Sequence, residues 1–349
     1  MAMAVALVLV ACGDGDDAAD DPQDDAAAEP AEEFTVGMAI GGTDFDWMVA
    51  QGEVAEALAE RRGWNYVQVD NDLDATTANQ NADILIEEGV DAVITFNGEP
   101  SVNPVIAQKF EEAGIPVITY DIAQEGWYFV GIDNESAGIW GGEQLGEIAK
   151  ERWDCEVDLV MSGEGADAGI VNEFRTGGGR EGIRNVCPDI PEDRWISFET
   201  DGQVSVATPA ARDVLTANPG AERILTVGLN DSAVVGALEA NDQLGGDREI
   251  LAWGQDGSLI TGDNVHPNLM GSVFYFLEGY AVYAFEILDD IAAGNPPEVR
   301  DQPEDATIYI DPCPVTAEEA AEIPGIEERT AAIIDAEDGT TATDLFCAR

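Results

Sequence analysis

The side chains that most often carry catalysis or bind metals are scarce in this chain, apart from carboxylates. It has one histidine, His266, five cysteines and 71 Asp or Glu residues. A single histidine cannot supply the common metal triads, and no motif around it supports a Ser-His-Asp triad. The cysteines form no CxxC pair, so we expect no zinc site. Paired carboxylates for glycoside hydrolysis stay open by composition, but no particular pair stands out.

A glycine-rich loop at residues 163–168 (GEGADA) fits the pattern of a dinucleotide-binding turn. That pattern belongs in the first βαβ unit of a fold, whereas this loop lies in the middle of the chain. Glu164 would also repel a pyrophosphate. No GxxxxGK[ST] phosphate-binding loop occurs. We therefore expect neither a nucleotide nor any other cofactor.

Cys12 ends an apolar, uncharged run at residues 1–11 and precedes a strongly acidic segment. This order is typical of a bacterial lipoprotein signal peptide, whose cysteine becomes the lipidated first residue. The run lacks the basic residues that usually begin a signal peptide, so an unrelated apolar N-terminus is the alternative. It is also shorter than the roughly 20 apolar residues of a membrane-spanning helix. We expect an extracytoplasmic protein anchored to the cell membrane through Cys12.

The other four cysteines are Cys155, Cys187, Cys313 and Cys347. An even number in an exported protein predicts two disulfide bonds, with three possible pairings and with four free thiols as the alternative. Cys155 precedes a predicted strand and Cys187 ends the helix after it, so one βα unit could bring them together. We favour the pairs Cys155–Cys187 and Cys313–Cys347.

The formal net charge of the chain is −56, and Lys109 and Lys150 are its only lysines. Residues 1–33 contribute ten of the negative charges, which leaves −46 for residues 34–349. Such a surface repels nucleic acid and anionic lipid, so we exclude nucleic acid as a partner and expect contact with a membrane only through the lipid anchor. It is also typical of a salty habitat, where ions screen self-repulsion.

The elements that must position the polar side chains follow a regular alternation from residue 34 onward. Residues 13–33 have almost nothing to bury and are expected to form a disordered tether. Strands are predicted at 34–40, 66–70, 92–96, 116–120, 128–132, 157–161, 195–199, 223–227, 249–253 and 269–274. Helices are predicted at 48–62, 76–88, 102–113, 136–152, 169–185, 205–217, 231–244 and 275–293. Gly63, Gly89 and Gly114 stand where helix C-caps belong.

This alternation predicts an α/β fold with two doubly wound parallel-sheet domains. In open parallel sheets, ligands bind outside the carboxyl ends of the strands. With two such domains, the natural ligand site is the cleft between them.

Several strand-end motifs, in order and at matching spacing, resemble the type I periplasmic binding proteins of ABC importers, in the ribose/galactose-type branch. The motifs are TDFDW at 43–47, EGVDAVI at 88–94, AGIPVITYD at 113–121, GLND at 228–231 and GQDG at 254–257. The resemblance covers residues 34–310. It implies a three-strand hinge, with crossings near 132–133, 275–276 and 305–306. The domains would then comprise residues 34–132 with 276–305, and 133–275 with 306–349.

The resemblance also implies a cleft that closes on one small sugar or polyol. Aromatic rings would stack on its C–H faces, while carboxylates, amides and an arginine would bind its hydroxyls. The matching positions in this chain are Asp44, Phe45, Asp46, Trp47, Asn97, Asp121, Asn172, Arg175, Asn230, Asp256 and Tyr275. Ile122 stands where the family has an arginine, and Tyr275 replaces a glutamine. The ligand is therefore not assumed to be ribose, and another monosaccharide, a deoxy sugar or a polyol fits equally.

Some of these positions have alternative structural roles. Trp47 could pack on the first helix, Asp121 could sit in a surface turn, and Tyr275 could belong to the core. Arg175 could pair with any acidic residue, and Asn230 could serve as a helix N-cap.

The predicted function is a monomeric, non-enzymatic sugar-binding component that delivers its ligand to an ABC permease. The same cleft in a receptor for a sensor kinase or a chemoreceptor is the alternative, and a lipid-anchored glycosidase is a weaker one. The tail after residue 310 exceeds what the family requires. Residues 316–319 can cap a short helix, residues 326–336 can form another, and a Cys313–Cys347 bond would hold the tail in place.

Overall fold

The computed structural model of this protein describes residues 34–97, 100–261, 265–299 and 308–347. The expected lipidation site at Cys12 and the expected tether at residues 13–33 lie outside the described residues. Within the described ranges, no helix combines the length and apolarity that crossing a membrane requires.

The first half of the fold alternates strands and helices as the sequence predicts. Its elements are β1 (Thr35–Ile40), α1 (Asp46–Arg62), β2 (Asn65–Asp70), α2 (Ala75–Glu88), β3 (Ala92–Thr95), α3 (Asn103–Ala113), β4 (Val117–Tyr120) and β5 (Tyr128–Ile132). Gly63, Gly89 and Gly114 end the three helices with φ of 69°, 72° and 74°. Since glycine enters this left-handed region without a steric cost, the predicted C-caps are confirmed.

The second half repeats the alternation and adds a C-terminal extension. Its elements are α4 (Asn134–Trp153), β6 (Leu159–Glu164), α5 (Ile170–Val186), β7 (Trp195–Glu199), α6 (Val204–Ala217), β8 (Arg223–Gly228), α7 (Asp231–Gln243), β9 (Glu249–Asp256), β10 (Leu269–Phe274), α8 (Tyr280–Ala292), β11 (Ile308–Ile310), β12 (Cys313–Thr316), α9 (Ala317–Ala320), α10 (Ile326–Asp335) and α11 (Ala342–Phe346). The helix predicted from residue 275 begins only at Tyr280. Phe276 has φ of 49°, and a 3-10 turn at Leu277–Gly279 intervenes.

Two sheets organise these elements into two lobes. The strand order of the first sheet is β11-β5-β4-β3-β1-β2, and that of the second is β12-β10-β9-β8-β6-β7. The described strand pairs are parallel except for β12, which runs antiparallel to β10. In each sheet the order reverses at its first strand, β1 or β6. A crevice opens at the carboxyl ends of the strands at such a switch point.

The third passage between the lobes differs from the expectation. Ile308–Ile310 was expected in the second domain, but it pairs in parallel with β5, with Ile308 opposite Val130. The expected crossing at 305–306 lies outside the described residues. The chain enters the second sheet only at β12, where Cys313 lies opposite Phe274. A strand of three residues carries almost no sequence pattern. Its position is therefore decided by which strand edge the rest of the fold leaves open for pairing, here that of β5.

The C-terminal extension also departs from its expected place in the second domain alone. Both predicted helices form, and Thr316 and Glu319 make a capping box at the start of α9. Past β12, however, the extension packs against α1 of the first lobe. There Arg61 donates to the Ala336 carbonyl at 3.0 Å and pairs with Asp338 at 2.6 Å. The extension therefore contacts both lobes.

Both favoured disulfide bonds are present. Cys155 pairs with Cys187 and Cys313 pairs with Cys347, with Cα–Cα distances of 5.5 and 5.8 Å. The first bond links the turn before β6 to the end of α5. The second links the start of β12 to the end of α11 and so closes the extension into a loop.

Candidate functional site

Three of the predicted site residues meet beside the crossings between the lobes. Asp121 follows β4 of the first lobe, Arg175 lies near the start of α5 in the second lobe, and Tyr275 follows β10. The guanidinium carbon of Arg175 lies 4.5 Å from the centre of the Tyr275 ring. Its charge also acts on the Asp121 carboxyl. The site therefore draws on strand ends of both sheets.

The orientation of Arg175 is fixed by its neighbours. Its Nε donates to Asn134 Oδ1 at 2.7 Å, and its Nη1 donates to the Leu229 carbonyl at 3.3 Å. The Tyr275 ring supports one face of the guanidinium, and the Tyr275 hydroxyl donates to Gln255 Oε1 at 2.6 Å. Because the planar group is held by these contacts, its remaining donors point in a defined direction.

Asp121 is a carboxylate in an unusual backbone conformation. Its φ of 53° lies in the left-handed region, and such strain concentrates at functional sites. Its Oδ1 accepts from the Ile132 amide and the Tyr280 hydroxyl, both at the long distance of 3.4 Å. Burial raises the pKa of Asp121, while the Arg175 guanidinium acts in the opposite direction. The carboxylate thus keeps capacity for a further partner.

Asp256, at the end of β9, repeats this arrangement in the second lobe. Its φ is 87°, its Oδ1 accepts from the Ser258 amide at 2.8 Å, and burial raises its pKa. The fully buried Asp231 lies close by and accepts from Ser272 Oγ at 2.6 Å and from the Leu259 amide at 2.9 Å. Burial, followed by the charge of Asp256, raises the pKa of Asp231 well above its usual value. Asp231 therefore supports the loop that carries Asp256.

The loop after β1 and the first turn of α1, which we call the rim, carry four of the predicted site residues. Asp44, Phe45 and Asp46 are exposed, and Phe45 retains 49% of its accessible surface. Trp47 lies in the first turn of α1 and packs edge-on against Phe96, which follows β3, with ring centres 5.5 Å apart. This packing differs from the contact with the first helix considered above. In the described part of the chain, no hydrogen bond or ring contact joins these residues to the Arg175 cluster.

Asn97 belongs to a chain of buried amides behind this rim. Its Oδ1 accepts from Asn71 at 2.8 Å, and its Nδ2 donates to Asn103 at 2.7 Å. Asn71 in turn accepts from Asn81 at 2.9 Å. The side-chain amide of Asn97 thus connects the loop after β2 to the start of α3. Its position at a strand end did not predict this structural role.

The two asparagines of the second lobe also hold loops. Asn172 accepts from the Gly165 amide at 2.9 Å and donates to Glu164 at 2.9 Å. Asn230 caps α7 by accepting from the Ala233 amide at 3.0 Å, which is the structural alternative considered for it.

Tyr275 is both a core residue and part of the cluster. Its side chain is 1% exposed, and its ring supports the Arg175 guanidinium.

Sequence reasoning missed two side chains that complete the cluster. Asn134 orients Arg175, and Tyr280 contacts Asp121. The position of Asn134 directly after the predicted first crossing was an available signal. No local pattern marks Tyr280, because it reaches Asp121 only through the packing of α8 against the first sheet.

A cavity of about 270 Å³ adjoins the cluster at the first crossing. It is bounded on one side by Asp121, Ile132 and Asn134 of the first lobe and its crossing. Phe174, next to Arg175, closes the other side. The cavity has room for one small molecule. Its apolar walls and few polar groups are typical of ligand sites.

Comparison with known proteins places this geometry in a family. Residues 36–296 match the family described as periplasmic binding protein domain. The ribose import binding protein of Bacillus subtilis (strain 168) is 26% identical over 272 residues, which cover 76% of this chain and 83% of that protein. A galactofuranose-binding protein of Escherichia coli (strain K12) is 24% identical over 275 residues, covering 72% and 83%.

Solved structures share the fold. A periplasmic solute-binding protein of Actinobacillus succinogenes 130z with bound D-allose superposes with a TM-score of 0.65 at 20% identity, covering 82% of this chain and 99% of that one. One from Bacillus halodurans C-125 with bound myo-inositol gives 0.62 at 20% identity, covering 86% and 98%. The expected type I fold and the expectation of a binding protein rather than an enzyme are confirmed. The chain belongs to the periplasmic binding protein domain family.

Proposed function

We propose that this protein is the extracytoplasmic substrate-binding component of an ABC importer and captures a monosaccharide or related polyol between its lobes. The observation that carries the proposal is that Asp121 and Asp256, at strand ends of the two sheets, meet Arg175 of α5. The relatives named above bind ribose and galactofuranose, and the solved structures hold D-allose and myo-inositol. All four ligands are small polyhydroxy compounds.

The chemistry of the cluster suits such a ligand. A carboxylate accepts from two neighbouring hydroxyls, and a guanidinium donates to ring or hydroxyl oxygens in a bidentate manner. We assign these roles to Asp121, Asp256 and Arg175. Phe45 and Trp47 would supply aromatic faces for C–H stacking when the rim closes on the ligand.

Ligand capture would proceed by closure of the hinge. Residues 34–132 with 276–305 form one lobe in this proposal, extended by β11, and residues 133–275 with β12 form the other. Since a ligand that touches both lobes binds the closed form more tightly, it shifts the population toward closure. The closed form is then the one that the permease recognises.

Delivery would depend on the anchor. Lipidation of Cys12 would hold the binding domain at the membrane through the acidic segment at residues 13–33. Such a tether raises the effective concentration of a monomeric binding protein beside its permease without tight docking. The two disulfide bonds support an oxidising, extracytoplasmic location.

Isothermal titration calorimetry against a panel of monosaccharides and polyols, at low and high salt, tests the proposal. We expect one member to bind, and Arg175→Ala to weaken it at least about tenfold, as loss of charge-assisted hydrogen bonds predicts. Arg212→Ala is the matched control, because Arg212 is exposed on α6. A folded protein that binds no member of the panel would overturn the proposal.

A further inference from the structure

The charged side chains that line the cavity at the first crossing are all acidic. They are Asp121, Asp133 and Glu135, and no basic side chain is among the described residues that line it. Asp133 is partly used, because its carboxylate caps α4 through the Ser136 amide at 3.1 Å and the Ser136 hydroxyl at 2.7 Å. The lining therefore carries an excess of negative charge.

Arg175, a cation beside the cavity, does not neutralise this excess. Arg175 directs its donors to Asn134 and to the Leu229 carbonyl and lies over a ring. In the described part of the chain, no basic side chain forms an ion pair within 4 Å with either Asp121 or Asp256. Asp121 and Asp256, both partly buried, thus share the field of the Arg175 guanidinium, which forms an ion pair with neither.

The general acidity of the chain does not account for this arrangement. Carboxylates on the surface stay hydrated, and several of them pair with the available arginines, as Asp289 does with Arg62 at 2.7 Å. An enclosed carboxylate loses that hydration, and its charge is costly unless an opposite charge lies nearby. Burial raises the pKa of Asp121 for this reason.

The apolar walls of the cavity suit a cation as well. Phe129, Phe174 and Tyr309 are among its lining residues. A positive charge over an aromatic face is attracted by the ring quadrupole, and the attraction grows when the site excludes water. Carboxylates combined with aromatic rings form a surrounding in which an ammonium group gains from both kinds of contact.

We propose that the ligand of this cleft carries an ammonium group, as an amino sugar or an amino polyol does, and that Asp121 receives it. This inference rests on the proposed function, since it specifies the ligand of the same cleft. The hydroxyls of the ligand would still bind Arg175 and Asp256. The ammonium would lie in the cavity between Asp121 and the aromatic walls, where it completes the charge balance that a neutral sugar leaves open.

Calorimetry with matched triplets tests this inference. Each triplet contains a neutral hexose, its 2-amino form and its N-acetyl form, in the glucose, galactose and mannose series. We expect one amino form to bind at least about tenfold more tightly than both its neutral parent and its N-acetyl form. N-acetylation removes the charge, so this comparison needs only the wild-type protein.

A pair of variants locates the effect. Asp121→Asn should lower the preference for the amino form to less than about threefold, while Asp189→Asn, at an exposed position, should leave it unchanged. Equal or tighter binding of neutral sugars would overturn the inference and leave the proposed function standing. A preference that survives Asp121→Asn would overturn the assigned role of Asp121. A folded protein that binds no neutral, amino or N-acetyl sugar would overturn both proposals.

Discussion

The Cys313–Cys347 bond should contribute strongly to stability by closing the C-terminal extension. Its cysteines are 34 residues apart, and loop-closure entropy for such a length amounts to about 4 kcal/mol. The double variant Cys313→Ser/Cys347→Ser should therefore lower the free energy of unfolding by about that amount. Urea unfolding at fixed high salt measures this change.

The other disulfide bond provides a matched control. Cys155 and Cys187 are 32 residues apart, so loop closure predicts nearly the same loss for the corresponding double serine variant. The two variants should differ in where the native state opens. Only the loss of Cys313–Cys347 should speed hydrogen exchange in the extension and at the second crossing.

The contacts of the extension explain this difference. Arg329 in α10 pairs with Glu278 at 2.5 Å, and Phe346 in α11 packs on Phe276 with ring centres 5.7 Å apart. Glu278 and Phe276 lie in the chain that links β10 to α8. The reasoning would be refuted if the Cys313/Cys347 variant lost less than about 1 kcal/mol, or if exchange at residues 275–279 stayed as slow as in the wild type.

Three further predictions concern stability. Arg329→Met should destabilise the protein by about 3–5 kcal/mol in urea unfolding, because it leaves the Glu278 carboxylate, which is 2% exposed, buried without its partner. The double variant Arg329→Met/Glu278→Leu should recover most of this loss. A cost below about 1 kcal/mol for Arg329→Met alone would contradict the argument. Gly182→Ala should destabilise the protein by about 1–3 kcal/mol, since the new Cβ would meet backbone atoms of α4. Gly177→Ala in the same helix places its Cβ where nothing lies within 4 Å and should stabilise the protein by up to about 1 kcal/mol. Thermal unfolding compares the two variants, and similar melting temperatures would disprove the packing argument. Burial holds the pKa of Asp231 above its value in the unfolded chain, so the native state keeps this proton to a higher pH and loses stability as pH rises from about 4. Asp231→Asn removes that loss, so the stability of the variant relative to wild type should improve from pH 4 toward neutrality. A difference in stability that stays constant with pH would be inconsistent with a buried, protonated Asp231.

Local sequence patterns were sufficient for most of the architecture. The alternation of β-branched runs with helical periodicity predicted the order of strands and helices through β10, and the glycine C-caps followed from the conformations that only glycine adopts easily. The βα unit around Cys155 and Cys187 also identified one disulfide bond. These features depend on residues close in sequence, so the chain itself encodes them.

The position of the extension could not be read in the same way. β11 has three residues and pairs with β5, while α10 packs against α1 about 270 residues earlier in the chain, as the Arg61–Ala336 hydrogen bond shows. Neither segment carries a pattern that names its partner. Which lobe each one joins is decided by the surfaces that the rest of the fold leaves open.

The sequence by itself determined the type of each site residue and the strand end or helix that carries it. The tertiary structure decided what each side chain does there. It brought Asp121, Arg175 and Tyr275 together from two lobes, and it engaged the amide of Asn97 with neighbouring asparagines. The physical reason is that strand ends converge wherever parallel strands form, whereas the partner of a polar group depends on distances between distant segments that only packing sets.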